Sequence, residues 1–279
     1  ALAILSSEQH ALTREELVSQ LNLYTQILGE VPYSKDAYVP EEDGEALWQL
    51  AKKHDKFIVE SDGIGELIRL DGTNAIAMTY YRNNIMHMVI VPALLAAFAL
   101  GHKRFSGEQA SQLLAQLHPL LRSELFISHS QADMKLWVSA LLEQYVQCGL
   151  LSEPETGEFM VAKRDSQAYS QLVLLARSAG ETAQRYAIVL ELLQQAQPIS
   201  RSELEQNSVQ LAERLSAVHG VNAPEFFDKK VLSTLIGTLK SEGYFTVSDS
   251  GEMVADHRVG ELSDAVDLLL EPAVLQTIR

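Results

Sequence analysis

Arg82, Asn83, Asn84 and His87 bring an arginine fork, two amides and an imidazole together within six residues. On a helix, Asn83 and His87 stand four apart and Asn84 and His87 three apart, so these three share one strip beneath Arg82. At a helix N-terminus such a strip could bind a phosphate or a carboxylate. The same groups could instead bond to the backbone of a neighbouring hairpin or to another domain. Tyr80 and Tyr81 precede them, and from Val89 to Leu100 no side chain is charged or polar. Burying polar groups unpaired costs a few kcal/mol each. A helix that opens this way and then turns wholly apolar is therefore not a generic surface helix.

A second segment, Val218 to Phe227, reads as a loop from its Gly220 and Pro224 and carries His219, Asn222 and two exposed-looking aromatics, Phe226 and Phe227. These four residues are candidates for docking on another domain or for core packing. Arg185 and Tyr186 read as a core and salt-bridge pair. Asp62, Glu66 and Asp71 belong to turns, and no paired-acid site or metal-ligand spacing is visible. No cofactor and no metal are expected. The single cysteine, Cys148, excludes an internal disulfide and any multi-cysteine metal site. Beside Gly149 at a helix end it reads as packing.

The elements that must position these groups repeat. Leu12-Thr13, Phe105-Ser106 and Ile199-Ser200 each set an apolar residue before a hydroxyl N-cap, at a period of 93 to 94 residues. Thr13 and Glu16 have the spacing of a capping box. About 45 residues after each cap an apolar pair starts a strand: Phe57-Ile58, Leu150-Leu151 and Tyr244-Phe245. Thr156-Gly157-Glu158 and Ser250-Gly251-Glu252 then supply matching turns. Each copy reads as helix, connection, second helix and β-hairpin, which is the winged-helix plan. The expected fold is mainly α with small β-hairpins, in three winged-helix-like repeats joined by long helices over 79–100, 166–196 and 261 to the end. The repeats divide the chain at 1–100, 101–196 and 197–279, and the first adds a strand-like piece at Asn74 to Met78.

Winged helices raise DNA binding as a rival. In a DNA reader the second helix carries basic and polar groups into the major groove. Here that helix has a lone Lys135 among acids in the second repeat, and Lys229, Lys230 and Lys240 among apolar residues in the third. The formal net charge of −15 also opposes a nucleic-acid surface. An acidic protein-interaction scaffold fits this composition better. Anionic lipid is likewise disfavoured at long range, although Lys52-Lys53-His54 and His102-Lys103-Arg104 could touch it locally. No signal peptide is evident at Ala1 to Leu5. The longest apolar run, Met88 to Leu100, would measure about 20 Å as a helix against a hydrocarbon core of about 30 Å, so it reads as a buried core helix.

One resemblance covers nearly the whole chain. Leu12-Thr13-Arg14-Glu15, Val31-Pro32-Tyr33-Ser34, Tyr80-Tyr81-Arg82-Asn83-Asn84, Arg185-Tyr186-Ala187-Ile188 and the stretch from Leu215 to Lys229 resemble the C-terminal third of the bacterial membrane-bound glycerol-3-phosphate acyltransferases. Members of that family acylate the sn-1 position of glycerol-3-phosphate in the first step of phospholipid synthesis, through a His-x-x-x-x-Asp motif in which the histidine is general base and the aspartate orients it. The eight histidines here are followed five places on by Glu15, Val59, Pro92, Gly107, Ser123, Met134, Pro224 and Leu262, never by aspartate. The family's glycine-rich acidic phosphate-binding blocks are missing too.

The resemblance thus implies an accessory region with no catalytic residue in this chain, and a start at Ala1-Leu2-Ala3 without methionine agrees with a fragment or a separated product. Its implied partners are the enzyme's own catalytic domain, acyl-ACP or acyl-CoA and glycerol-3-phosphate through the full enzyme, and a membrane surface, but not nucleic acid. Its implied location is the cytoplasmic face of the inner membrane, held peripherally. For Tyr80, Tyr81, Arg82, Asn83, Asn84 and His87 it leaves two roles open: contact with glycerol-phosphate or the donor's phosphopantetheine, or contact with the catalytic domain.

Overall fold

The computed structural model describes residues 1–153, 157–195, 198–221 and 223–279. The fold is mainly helical with three small antiparallel sheets. Packing gathers the chain into two compact units, one of residues 1–114 and 127–179, the other of 115–126 and 180–279.

The first unit opens with α1 (Leu2–Leu5), β1 (Ala11–Thr13), α2 (Arg14–Glu30), α3 (Gly44–Lys52) and the hairpin β2 (Ile58–Ser61) and β3 (Glu66–Arg69). β3 lies between β1 and β2, with Leu12 opposite Ile68. α2 and α3 approach closely at Gly44, where a Cβ would fall 2.2 Å from the Val18 carbonyl oxygen and the amide donates to Asn22 Oδ1 at 2.6 Å. Two helices follow, α4 (Gly72–Asn83) and α5 (Met86–His102). α5 is the core of the unit, buried without interruption from Val89 to Ala99. Its proline removes one backbone donor, and Tyr145 turns its hydroxyl onto the Pro92 carbonyl at 2.6 Å.

The same order then recurs: β4 (Arg104–Ser106), α6 (Gly107–Glu124), α7 (Met134–Gln147), β5 (Leu151–Ser152) and β6 (Glu158–Val161), with β6 central and Phe105 opposite Phe159. α8 (Gln167–Arg177) packs along α5 and ends the first unit. The second unit contains α9 (Gly180–Gln195), β7 (Ile199–Ser200), α10 (Arg201–His219), α11 (Lys229–Ser241), β8 (Phe245–Val247), β9 (Glu252–Ala255), α12 (Arg258–Asp267) and α13 (Pro272–Ile278). Here β9 is central, and Ile199 faces Met253.

The caps read from sequence are in place. Thr13 and Ser200 accept from the amides of Glu16 and Glu203, whose carboxylates take the cap amides in return. Ser106 exchanges the same two bonds with Gln109, at 2.8 and 3.2 Å. The three hairpins begin one residue after Phe57, Leu150 and Tyr244. The second and third pair alike, Leu151 with Val161 and Phe245 with Ala255, while the first is shifted by one, with Ile58 opposite Arg69. Gly149 and Gly243 end the second helices at φ 72° and 75°, a region closed to most side chains. Thr156 of the expected turn lies outside the described residues.

Four expectations change. Asn74 to Met78 is helix rather than strand, because Asp71 caps it: Oδ1 accepts from the Asn74 amide at 2.7 Å and Oδ2 from its side-chain amide at 3.1 Å. The helix expected from Thr79 to Leu100 is two helices, broken at Asn84-Ile85 and bent by 97°. The helix expected from Ser166 breaks at Ser178-Ala179, where 3₁₀-type bonds tighten the last turn, and its far bound, Ala196, lies outside the described residues. The C-terminal helix is interrupted before Pro272, which tolerates only the first turn of a new helix. Among the described residues no single helix is long and apolar enough to cross a membrane, and the pair α4 and α5, which together reach that length, contains the 97° bend.

Candidate functional site

α4 sorts its side chains into two sets. Ala75, Met78, Thr79 and Arg82 face inward. Ile76, Tyr80, Tyr81 and Asn83 face outward, and Asn84 and Ile85 extend that face through the break. Tyr80 and Tyr81 are 68% and 57% exposed, and their rings meet edge to face at 5.8 Å. Arg82 is only 8% exposed, and its Nε and Nη2 both donate to Asn83 Oδ1 at 3.2 Å. The single strip expected from helical spacing does not form. Arg82 and Asn83 close one helix, Asn84 is its C-cap, and His87 stands in the first turn of the next.

His87 turns toward a third segment. Its imidazole meets the Tyr33 ring edge-on, with centroids 4.9 Å apart and planes at 78°. Burial holds this histidine below its ordinary pKa. The Tyr33 carbonyl accepts from Ser128 Oγ, which also lies 3.2 Å from His129 Nδ1. His129 stacks flat on Trp137, with centroids 4.0 Å apart. It too sits below its ordinary pKa through burial, against a smaller opposing pull from Asp133. Tyr33, Ser128, His129 and Trp137 complete the elbow between α4 and α5. Of these only Tyr33 falls in a segment that stood out in the sequence, since spatial neighbours so far apart along the chain leave no local signal.

The loop candidates divide. His219 Nε2 lies 2.9 Å from Thr277 Oγ1, joining the end of α10 to α13. Asn222 lies outside the described residues. Phe226 is fully buried in the core of its own unit, so the exposed aromatic pair reduces to the half-buried Phe227. The motif preceding it, Pro224 to Phe227, is a short 3₁₀ turn that drives Phe226 inward.

Arg185 and Tyr186 are the core pair expected, with a partner the sequence did not indicate. Arg185 Nη2 donates to Glu124 Oε2 at 2.8 Å, and both side chains are 8% exposed. Burial alone would lower the Arg185 pKa, but Glu124 outweighs it and raises it. The Tyr186 hydroxyl is pushed well above its usual value by burial and then by the Glu124 charge. Among the described residues no group of three or more His, Cys, Asp or Glu is arranged to hold a metal ion.

What the elbow can do chemically is limited. Its neutral imidazoles can accept or donate one hydrogen bond each, its outward tyrosines and asparagines can anchor a surface, and its arginine is spent inside the fold. Residues 1–248 match the family described as the glycerol-3-phosphate acyltransferase C-terminal region. The match spans most of the chain, and the chain belongs to that family.

Proposed function

We propose that this member of the glycerol-3-phosphate acyltransferase C-terminal family is the accessory region of a glycerol-3-phosphate 1-O-acyltransferase. That enzyme moves a fatty acyl group from acyl-ACP or acyl-CoA to sn-glycerol-3-phosphate, the first step of phospholipid synthesis. The family match over residues 1–248 carries the reading. With no histidine followed five places on by aspartate, the chain acts through a catalytic domain outside it. Tyr80, Tyr81, Asn83 and Asn84 meet that domain, while Arg82 and His87 hold them in place. His219 and Phe227 form a second, smaller contact.

In this reading the three β-α-α-β-β modules are winged-helix-like repeats over 1–100, 101–196 and 197–279, and superposition on their caps and hairpins tests that division. Their use is protein contact rather than DNA reading. Lys135 is paired with Glu108 at 2.8 Å and Lys229 with Glu205 at 3.6 Å, so two of the lysines on the second helices are matched by acids. The enzyme sits peripherally on the cytoplasmic face of the inner membrane; among the described residues of this region no single helix is long and apolar enough to span.

Deleting this region from the full-length enzyme tests the proposal. Loss of glycerol-3-phosphate acylation, with the truncated protein still folded, is expected. Unchanged kcat and KM in the truncated enzyme would overturn it.

A further inference from the structure

The outward face of α4 carries more than its two tyrosines. From Gly72 to Ile85, nine residues are exposed and none is charged, although charged residues make up 21% of the chain. No aspartate or glutamate occurs anywhere between Asp71 and Glu108, in a protein whose net charge is −15. Arg82, the helix's only cation, is turned inward. The exposed side chains include Ile76 and Tyr80, four apart and so along one line of the helix, with Tyr81 beside them and Ile85 just past the C-cap Asn84.

Depletion of charge with enrichment in tyrosine marks the buried centre of a protein interface rather than open surface. Spacing of four between apolar anchors is how a helix seats in a groove. A lipid surface would be met differently. Helices that lie on bilayers border their apolar face with exposed lysine or arginine, and α4 exposes neither. The helix that follows is anchored, since α5 is buried from Val89 to Ala99 and His87 in its first turn is fixed against Tyr33.

We infer that α4 docks as a helix into an uncharged, largely apolar groove on the acyltransferase domain, with Ile76, Tyr80, Tyr81 and Ile85 as anchors and Asn83 and Asn84 as its hydrogen-bonding rim. The inference rests on the accessory-region reading and specifies the contact. Arg82 is a positioning residue in this arrangement, not a contact.

The test uses the full-length enzyme in membranes, with p-benzoylphenylalanine introduced in place of Ile76 or Tyr80 and, as a control, in place of Leu136, which is 76% exposed on α7. Irradiation followed by peptide mapping is expected to join positions 76 and 80 to the acyltransferase domain and position 136 to nothing there. Joining to lipid would overturn the inference and assign the face to the bilayer, and yields no higher than the control would overturn it as well. A full-length protein that acylates glycerol-3-phosphate without such cross-links defeats the docking face alone, whereas one that never acylates it defeats the underlying reading too. As a second variant, Tyr80→Asp is expected to lower kcat/KM by about tenfold or more without moving the melting temperature, and unchanged kcat/KM would count against the docked helix.

Discussion

The ring of Tyr33 stands edge-on to the imidazole of His87, 4.9 Å from centroid to centroid. This contact ties the segment after α2 to the first turn of α5, and so fixes the elbow from which α4 projects. A charged imidazole is disfavoured in that setting, and burial accordingly lowers the His87 pKa. The His129 pKa is lowered in the same way nearby.

Stability should therefore depend on pH below neutrality. Both histidines hold a proton less tightly folded than unfolded, so the unfolded chain binds more protons just below the unfolded histidine value of about 6.5. Stability is full above that pH and falls as pH drops through it. Melting temperatures across this range should decline in the wild type and decline less in His87→Gln. Equal slopes in the two proteins would refute the assignment to His87.

Arg82 should behave as a brace. Replacing Arg82 with alanine removes a buried charge bonded to Asn83 and should lower stability by about 2 to 3 kcal/mol, measured by denaturant unfolding. Tyr80→Ala, on the exposed side of the same helix, should leave stability within about 0.5 kcal/mol of wild type. The reverse order of effects would mean that α4 faces the other way.

Much of this is legible in the sequence, and the missing part has a common cause. Thr13, Ser106 and Ser200 could be read because capping is local: a hydroxyl, and an acid or amide three residues later, decide it. Asn74 to Met78 reads as strand-like after Asp71-Gly72, yet the same aspartate caps it as a helix. The strands β1, β4 and β7 are two or three residues long and owe their form to partners more than 50 residues away. Likewise the elbow at Asn84-Ile85 has no glycine or proline to announce it. Arg82 keeps the inward line of Ala75, Met78 and Thr79, but His87 falls on the next helix, so the loss of the expected strip could not be read from helical spacing.

The buried pair in the second unit predicts an asymmetry. Arg185→Ala leaves Glu124 charged and buried, which should cost roughly 3 to 5 kcal/mol. Replacing both partners together, Arg185→Met with Glu124→Leu, should cost clearly less. A double variant as unstable as the single would show that Arg185 stabilises through other contacts.

Gly44 offers a steric test. A Cβ there would lie 2.2 Å from a backbone oxygen of α2, so Gly44→Ala should separate α2 from α3 and cost about 1 to 3 kcal/mol despite alanine's better helix propensity. Unchanged or increased stability would contradict the close approach.

The most direct measurement is the rate of acyl transfer from acyl-CoA to glycerol-3-phosphate by this chain alone, beside the same assay of the full-length enzyme. The account predicts no turnover above background from the chain and clear turnover from the full-length enzyme. Turnover by the chain alone would place a catalytic base within these residues and contradict the account.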